Sequence, residues 1–158
     1  MKLAIGSDKS GFAVKEAVKA YLAGTEHETD DLGTVDLSEV HPYYQVASEV
    51  APKIQDGSYD RAILICGTGA GMSVVANKFR GVYAVACESL YAARMARAIN
   101  NANVLCMGGW IVGPEMAVEL VKAFLSTEWC QDLESWRAEN MHKFAAKVSA
   151  IEDAIYGA

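Results

Sequence analysis

Cys66 closes an apolar run and is followed by Gly67, Thr68, Gly69, Ala70, Gly71, Met72 and Ser73. Three glycines on alternate positions let a backbone turn tightly and present several N–H groups to one spot. Where such a loop opens a helix, the helix dipole adds a preference for negative charge. The loop can therefore hold a phosphate, or an oxyanion that develops during a reaction. The spacing is not G-x-G-x-x-G, because the third glycine comes one residue early, and no P-loop lysine follows. A thiol beside a helix N-terminus titrates below the free value of about 8.5, which suits a base that takes a proton from carbon. The competing reading is a buried structural cysteine, the commoner fate of a thiol on a strand.

The elements that must position this loop are short apolar runs alternating with helical patterns. Strands are expected at Lys2–Gly6, Glu28–Leu32, Arg61–Cys66, Val82–Cys87 and Asn103–Met107. Helices are expected at Gly11–Ala23, His41–Gln55, Gly71–Lys78, Leu90–Asn100 and Glu115–Ser126. Pro42 suits the first turn of its helix, and Pro52 should disturb that helix near its end. Continuous apolar strands separated by helices predict a doubly wound α/β three-layer sandwich with a five-stranded parallel sheet. Ligands of such sheets bind beyond the carboxyl ends of the strands, so the loops after Gly6, Cys66, Cys87 and Met107 matter most. Gln131–Tyr156 (131–156) reads as one long C-terminal helix. Its row of Met141, Phe144, Val148, Ile151 and Ile155 points to a subunit contact and a homo-oligomer, dimer or tetramer.

The 158 residues are read as a single domain (1–158), and 52% apolar residues give it a sizeable core. A net charge of −6 speaks against a general nucleic-acid or membrane-surface binder, since both need basic surface. The N-terminus does not read as a signal segment, and no apolar run approaches the roughly 18 residues of a membrane span. Cys66, Cys87, Cys106 and Cys130 show no C-x-x-C pairing, so reduced thiols in the cytoplasm are expected, with neither a zinc site nor a disulfide framework. Cys87 and Cys106 read as small buried hydrophobes, Trp129 and Trp136 as core or interface anchors, and Arg94 and Arg97 as solvated helix residues.

Cys66–Lys78 (C-G-T-G-A-G-M-S-V-V-A-N-K) closely resembles the signature loop of the type B ribose-5-phosphate isomerases and the related galactose-6-phosphate isomerases. Ala4–Asp8 with Gly11-Phe12 resembles that family's first strand and the loop after it. Asp31-Leu32-Gly33-Thr34 resembles its F-G-T turn, and Asn103–Gly108 with Val112-Gly113 its fifth strand and following loop. The likeness runs from residue 2 to about residue 128. It implies a dimeric sugar-phosphate isomerase whose sites draw on both chains and which needs neither metal nor organic cofactor. Cys66 would be the base moving a proton between C1 and C2 through a cis-enediolate. Other members use a glutamate at the position of Ser73. The amides of Gly67, Gly69, Ala70, Gly71, Met72 and Ser73 would hold the enediolate oxygen, and Thr68 would assist hydroxyl proton transfers. Asp8 would bind sugar hydroxyls, and Asn100 would reach the substrate from the partner subunit.

Several positions depart from the family pattern. Ile99 replaces the histidine thought to open a furanose ring, and Lys9 replaces another histidine. Trp110 stands where a phosphate-binding arginine is usual. Arg137 matches the first of two helical arginines, while Met141 replaces the second. Lys9, Arg137, His142 and Lys143 remain as cations for an anionic substrate. His41 replaces a tyrosine and offers an acid or base near neutral pH, against the plainer reading of an exposed helix-start histidine.

The resemblance makes ribose 5-phosphate the default substrate. The departures point elsewhere. A tetrulose 4-phosphate cannot close a furanose ring and needs no ring-opening histidine, and erythrulose-4-phosphate isomerases of this superfamily likewise lack histidine beside the Asn-Asn pair. Trp110 favours an acidic sugar held differently or carrying no phosphate. Two readings from other classes stand beside the enzyme: a non-catalytic sugar-phosphate-binding subunit, and a flavodoxin-like nucleotide binder. The second lacks an acidic ribose-binding residue at the expected spacing.

Overall fold

The computed structural model describes residues 1–157. Along the chain run β1 (Lys2–Ser7), a 3-10 turn (Lys9–Gly11), α1 (Phe12–Leu22), β2 (Glu28–Asp31), α2 (Tyr43–Gln55), β3 (Arg61–Cys66), α3 (Ala70–Ala76), β4 (Ala84–Ala86), α4 (Leu90–Ala98), β5 (Val104–Gly108), α5 (Pro114–Ser126) and α6 (Ser135–Tyr156). All strand pairs are parallel, in the order β2-β1-β3-β5-β4. The doubly wound architecture is the one expected from the sequence.

The strands are apolar on both faces because both faces are covered. Leu3, Ile5, Ile63, Ile65, Leu105 and Met107 pack with Val14, Val18, Leu22, Leu120 and Phe124 of α1 and α5. The alternate residues Ala4, Ala62, Leu64, Cys66, Val104 and Cys106 pack with Val46, Val50, Ile54, Met72 and Ala76 of α2 and α3. Each fully buried branched side chain contributes about 1.5–3 kcal/mol. From β1 the chain winds outward to β2, and from β3 it winds the other way to β5 and β4. The switch point is therefore the crevice between the C-terminal ends of β1 and β3.

Two expectations are corrected. Pro42 is the N-cap of α2 and not part of its first turn (φ −69°, ψ 153°). α2 runs to Gln55 as expected, with Pro52 inside it; the carbonyl that Pro52 deprives of a partner belongs to Ser48, on the exposed face. The last helix begins at Ser135 and not at Gln131, because Cys130 (φ 64°) and Asp132 (φ 57°) adopt left-handed conformations that no helix can carry.

Periodicity also leaves Lys15 unread. Its side chain is wholly buried on α1, and its ammonium donates to Asp31 Oδ2 (2.5 Å) and to the Thr34 carbonyl (2.5 Å). Burial alone would raise the Asp31 carboxyl, but hydrogen bonds from Lys15, Lys19 and the Gly33 amide outweigh it and hold the group below the ordinary carboxylate range. This knot fixes the segment after β2. Thr34 in turn accepts at Oγ1 from the His41 amide (3.0 Å), just before α2.

Candidate active site

Cys66 is the last residue of β3 and is 4% exposed. Its sulfur accepts the Gly69 amide at 3.2 Å, which closes the loop back onto the strand end. Gly69 sits at φ 77°, and a Cβ there would lie 2.9 Å from the Met107 carbonyl carbon, so only glycine passes this point without strain. Gly67, Thr68, Ala70, Gly71 and Met72 have amides with no acceptor among the described residues. They are the loop donors and the first-turn donors that a helix start always leaves over. The Ser73 amide is different: it donates to the Gly69 carbonyl at 3.1 Å. Its hydroxyl donates to Ala84 O (3.1 Å) and fastens α3 to β4. Of the seven amides from Gly67 to Ser73, five are thus open, and those expected to be open at Gly69 and Ser73 are taken, by the Cys66 sulfur and the Gly69 carbonyl.

Two rings bound this row of amides. A Cβ on Gly67 would meet the Trp110 ring at 2.8 Å, so the indole lies flat against the loop while remaining 74% exposed. The Trp110 amide donates to the Gly67 carbonyl at 3.0 Å and locks the ring's segment in place. On the other side, a Cβ on Gly71 would meet the Tyr43 ring at 2.9 Å. Sequence reading noted Trp110 only as a departure and did not single out Tyr43. The signal lay in the glycines, whose missing side chains make room for rings from distant loops.

Asp8 stands at the end of β1, its amide donating to the Ile65 carbonyl at 3.2 Å. Its Oδ1 accepts from the amides of Ser10 (2.8 Å) and Gly11 (3.1 Å) and caps the 3-10 turn. Burial pushes its carboxyl above the ordinary value, against the lowering effect of those two bonds. The folded protein therefore prefers a neutral group here, and neutral pH works against that preference. Asp8→Asn keeps the Oδ1 acceptor and removes the charge. It should raise Tm at pH 7 while lowering kcat/KM roughly tenfold or more, the range of a hydrogen bond to a charged group. Differential scanning calorimetry beside a rate assay checks both halves; a variant that is less stable at pH 7 contradicts the first.

Of the remaining candidates, Lys9 follows Asp8 on the loop after β1, and the others are placed elsewhere within the chain. Lys9 is exposed and forms no ion pair among the described residues. His41 lines a shallow depression with Glu39, Gln45, Ser48 and Glu49, none of which belongs to the Cys66 loop. Asn100 and Ile99 open onto an apolar cavity of about 680 Å³ beneath α6, together with Trp129, Met141 and Phe144. Arg137 lies in the first turn of α6, its amide donating to Glu134 O (2.8 Å). Among the described residues, no hydrogen bond or ion pair joins Asn100 or Arg137 to the loop. Cys87 and Cys106 are buried, and burial raises both thiols, Cys87 to about 11. They pack as small hydrophobes, as expected.

A family model described as Ribose/Galactose Isomerase matches residues 3–141. The chain is 54% identical over 156 residues to a 4-deoxy-4-sulfo-D-erythrose isomerase from a Clostridium species, covering 99% of this chain and 98% of that one. It is 40% identical over 131 residues to D-erythrulose-4-phosphate isomerase 2 of Mycolicibacterium smegmatis, covering 82% and 86%. Ribose-5-phosphate isomerase B of Mycoplasma genitalium, solved with bound ribulose-5-phosphate, superposes with a TM-score of 0.86 at 30% identity over 96% of each chain. The cysteine loop at a switch point and the match along most of the sequence agree: the chain belongs to the ribose/galactose isomerase family and is an aldose–ketose isomerase.

Proposed function

We propose that the chain interconverts the aldose and ketose forms of an open-chain four-carbon sugar with an acidic group on C4, a sulfonate in preference to a phosphate. The observation that carries this is the Cys66 sulfur set beside five open amides at the mouth of a buried strand. Cys66 takes the proton from C2 of the aldose and the charge moves to the C1 oxygen, which the amides hold as it forms. The same sulfur returns the proton to C1. Thr68, exposed at the loop tip, serves the compensating transfer from O2 to O1.

Chain length follows from Ile99, which cannot open a ring, and from the four-carbon substrates named for two relatives. Head-group charge follows from the crevice itself. Lys9 is the one Lys or Arg on the loops after β1, β3 and β5, and Trp110 supplies a neutral ring. A phosphate ester carries about −1.5 to −2 near pH 7, more than this wall balances, whereas a sulfonate carries a single charge. A coupled assay over 4-deoxy-4-sulfoerythrose, erythrose 4-phosphate, ribose 5-phosphate, galactose 6-phosphate and a uronate orders these claims. The sulfo sugar should lead. Equal turnover of ribose 5-phosphate would remove the open-chain reading.

A second copy of the chain completes the proposal. α6 buries none of its residues, and Trp136, Phe144, Val148, Ile151 and Ile155 are all exposed along it. Such a row needs cover, and Asn100 and Arg137 need a site to serve. Phe144→Glu combined with Ile151→Glu should reduce the sedimentation mass to that of one chain and abolish turnover; unchanged mass would place the subunit contact elsewhere. Four free thiols fit a reducing compartment, and we assign the protein to the cytoplasm.

A further inference from the structure

At the end of the sheet opposite Cys66, two arginines are buried side by side. Arg61, the first residue of β3, is 7% exposed and Arg97 of α4 is 6% exposed. Both guanidinium groups lie over the Phe124 ring, 5.7 and 5.9 Å from its centroid. Some of their donors are used. Arg61 Nη1 donates to the Phe124 and Leu125 carbonyls (2.9 and 3.0 Å) and closes the C-terminus of α5. Arg97 donates through Nε to Thr127 O (3.4 Å) and through Nη1 to Asn101 Oδ1 (3.0 Å) and Ala102 O (2.6 Å).

The rest are not used. Arg61 Nε and Nη2 form the side-on edge of the guanidinium, and neither has a hydrogen-bond acceptor among the described residues; Glu128 stands 3.7 Å from Nη2, beyond hydrogen-bond reach. Arg97 Nη2 has none either. Both side chains line one cavity of about 570 Å³, shared with Met1, Asp60, Asn103 and Glu128. Asp60 already accepts the Lys2 amide (2.7 Å), and Glu128, 75% exposed and 3.7 Å from Arg61 Nη2, offsets the pair only in part, so donors and charge are left over. Burial first, and the nearby Arg61 charge second, lower Arg97 to about 10, against the opposing pull of Glu128. A vacant side-on edge is the geometry that receives a planar or tetrahedral oxyanion in two parallel bonds.

We propose that this cavity binds a small tetrahedral oxyanion on Arg61 Nε and Nη2 and on Arg97 Nη2, and that its occupancy is felt at Asn100. The oxyanion is free sulfate or phosphate, or the head group of a sulfonated or phosphorylated metabolite. The link is physical. Arg97 holds the side chain of Asn101, a residue kept at φ 51°, and Asn101 follows Asn100 directly. An anion that draws Arg97 toward the cavity loads that strained turn. Only the effect on Asn100 rests on the function proposed above; the binding site does not.

The test is nuclear magnetic resonance on the full ¹⁵N-labelled chain, titrated with sodium sulfate against sodium chloride at equal ionic strength. The Nε–Hε signals of Arg61 and Arg97 and the Asn101 amide should shift saturably, half-complete in the low-millimolar range. Glu128→Gln, an exposed change that spares the fold, should tighten sulfate about two- to fivefold by removing a competing charge. Glycerol 3-phosphate, run in parallel, distinguishes the sources: tighter binding than sulfate marks a metabolite site, and equal binding a free-anion site. Shifts confined to the amides of Gly67–Met72 would overturn the proposal while leaving the isomerase reading intact. So would no saturable shift beyond chloride, or a Glu128→Gln chain that binds no better.

Discussion

Cys66→Ala is expected to lower kcat by about 10²–10⁴-fold, the contribution of a positioned general base, on the preferred substrate. The fold should survive. The alanine fits the space of a small buried side chain, and its cost is the buried Gly69 amide that loses its acceptor. A cost of about 1–3 kcal/mol lowers Tm by about 2–12 °C in a chain of this size. Cys66→Ser sharpens the test, because the hydroxyl fills the same place and accepts the same amide but is far too weak an acid to work as the base. It should be nearly as slow as the alanine variant. A chain that keeps a tenth of its rate with alanine at this position would remove the thiol from the chemistry. The other three thiols do not compensate: two are buried and raised, and Cys130 lies on the far segment leading to α6, with His142 Nε2 at 4.0 Å.

Trp110→Arg is expected to invert head-group preference. The ring lies over Gly67 and beside the open amides, so the residue at this position faces whatever the loop holds. A guanidinium there adds one full charge and a two-pronged donor, while the indole offers a single neutral N–H. Hydrogen bonds to charged groups are worth about 1.5–3 kcal/mol. The ratio of kcat/KM for erythrose 4-phosphate over the 4-sulfo sugar should therefore rise by about 10- to 100-fold. Trp110→Phe serves as the control: it keeps a flat ring on the glycine and should leave the ratio within a few-fold. If arginine changes both substrates equally, charge at this position does not sort them.

Much of the arrangement was legible because it rests on local rules. R-A-I-L-I-C read as a fully buried strand because each residue goes into one of two cores. The glycine loop read as an anion site because its donors are left over by geometry. What escaped reading depended on long-range company. Arg97 looked solvated because it is a charged residue near the end of a short amphipathic helix, yet it is buried against Phe124 and the end of α5. Lys15 fell among apolar helix positions, and only Asp31 and the Thr34 carbonyl make its burial tolerable. The start of α6 was misplaced because Gln131–Glu134 continues the helical pattern, while the left-handed turn before it is set by contacts such as the Cys130 amide donating to Ala98 O at 2.9 Å. Ser73 looked like one more open amide; its place one residue too deep in α3 gives it an intrahelical partner.

The two borders of the sheet decide how such molecules can meet. On one side lies β2, Glu28-Thr29-Asp30-Asp31, whose three acids would repel the same strand of a neighbour. On the other lies β4, three residues long, with its outward peptide already taken: Asn77 Oδ1 accepts from Ala84 N and Asn77 Nδ2 donates to Ala84 O, both at 2.8 Å. An open strand edge is the template from which runaway cross-strand growth begins. Here one edge is charged and the other is sealed by an asparagine imitating a sixth strand. Crowded copies of this chain can associate only through their helices, which favours closed assemblies over fibres.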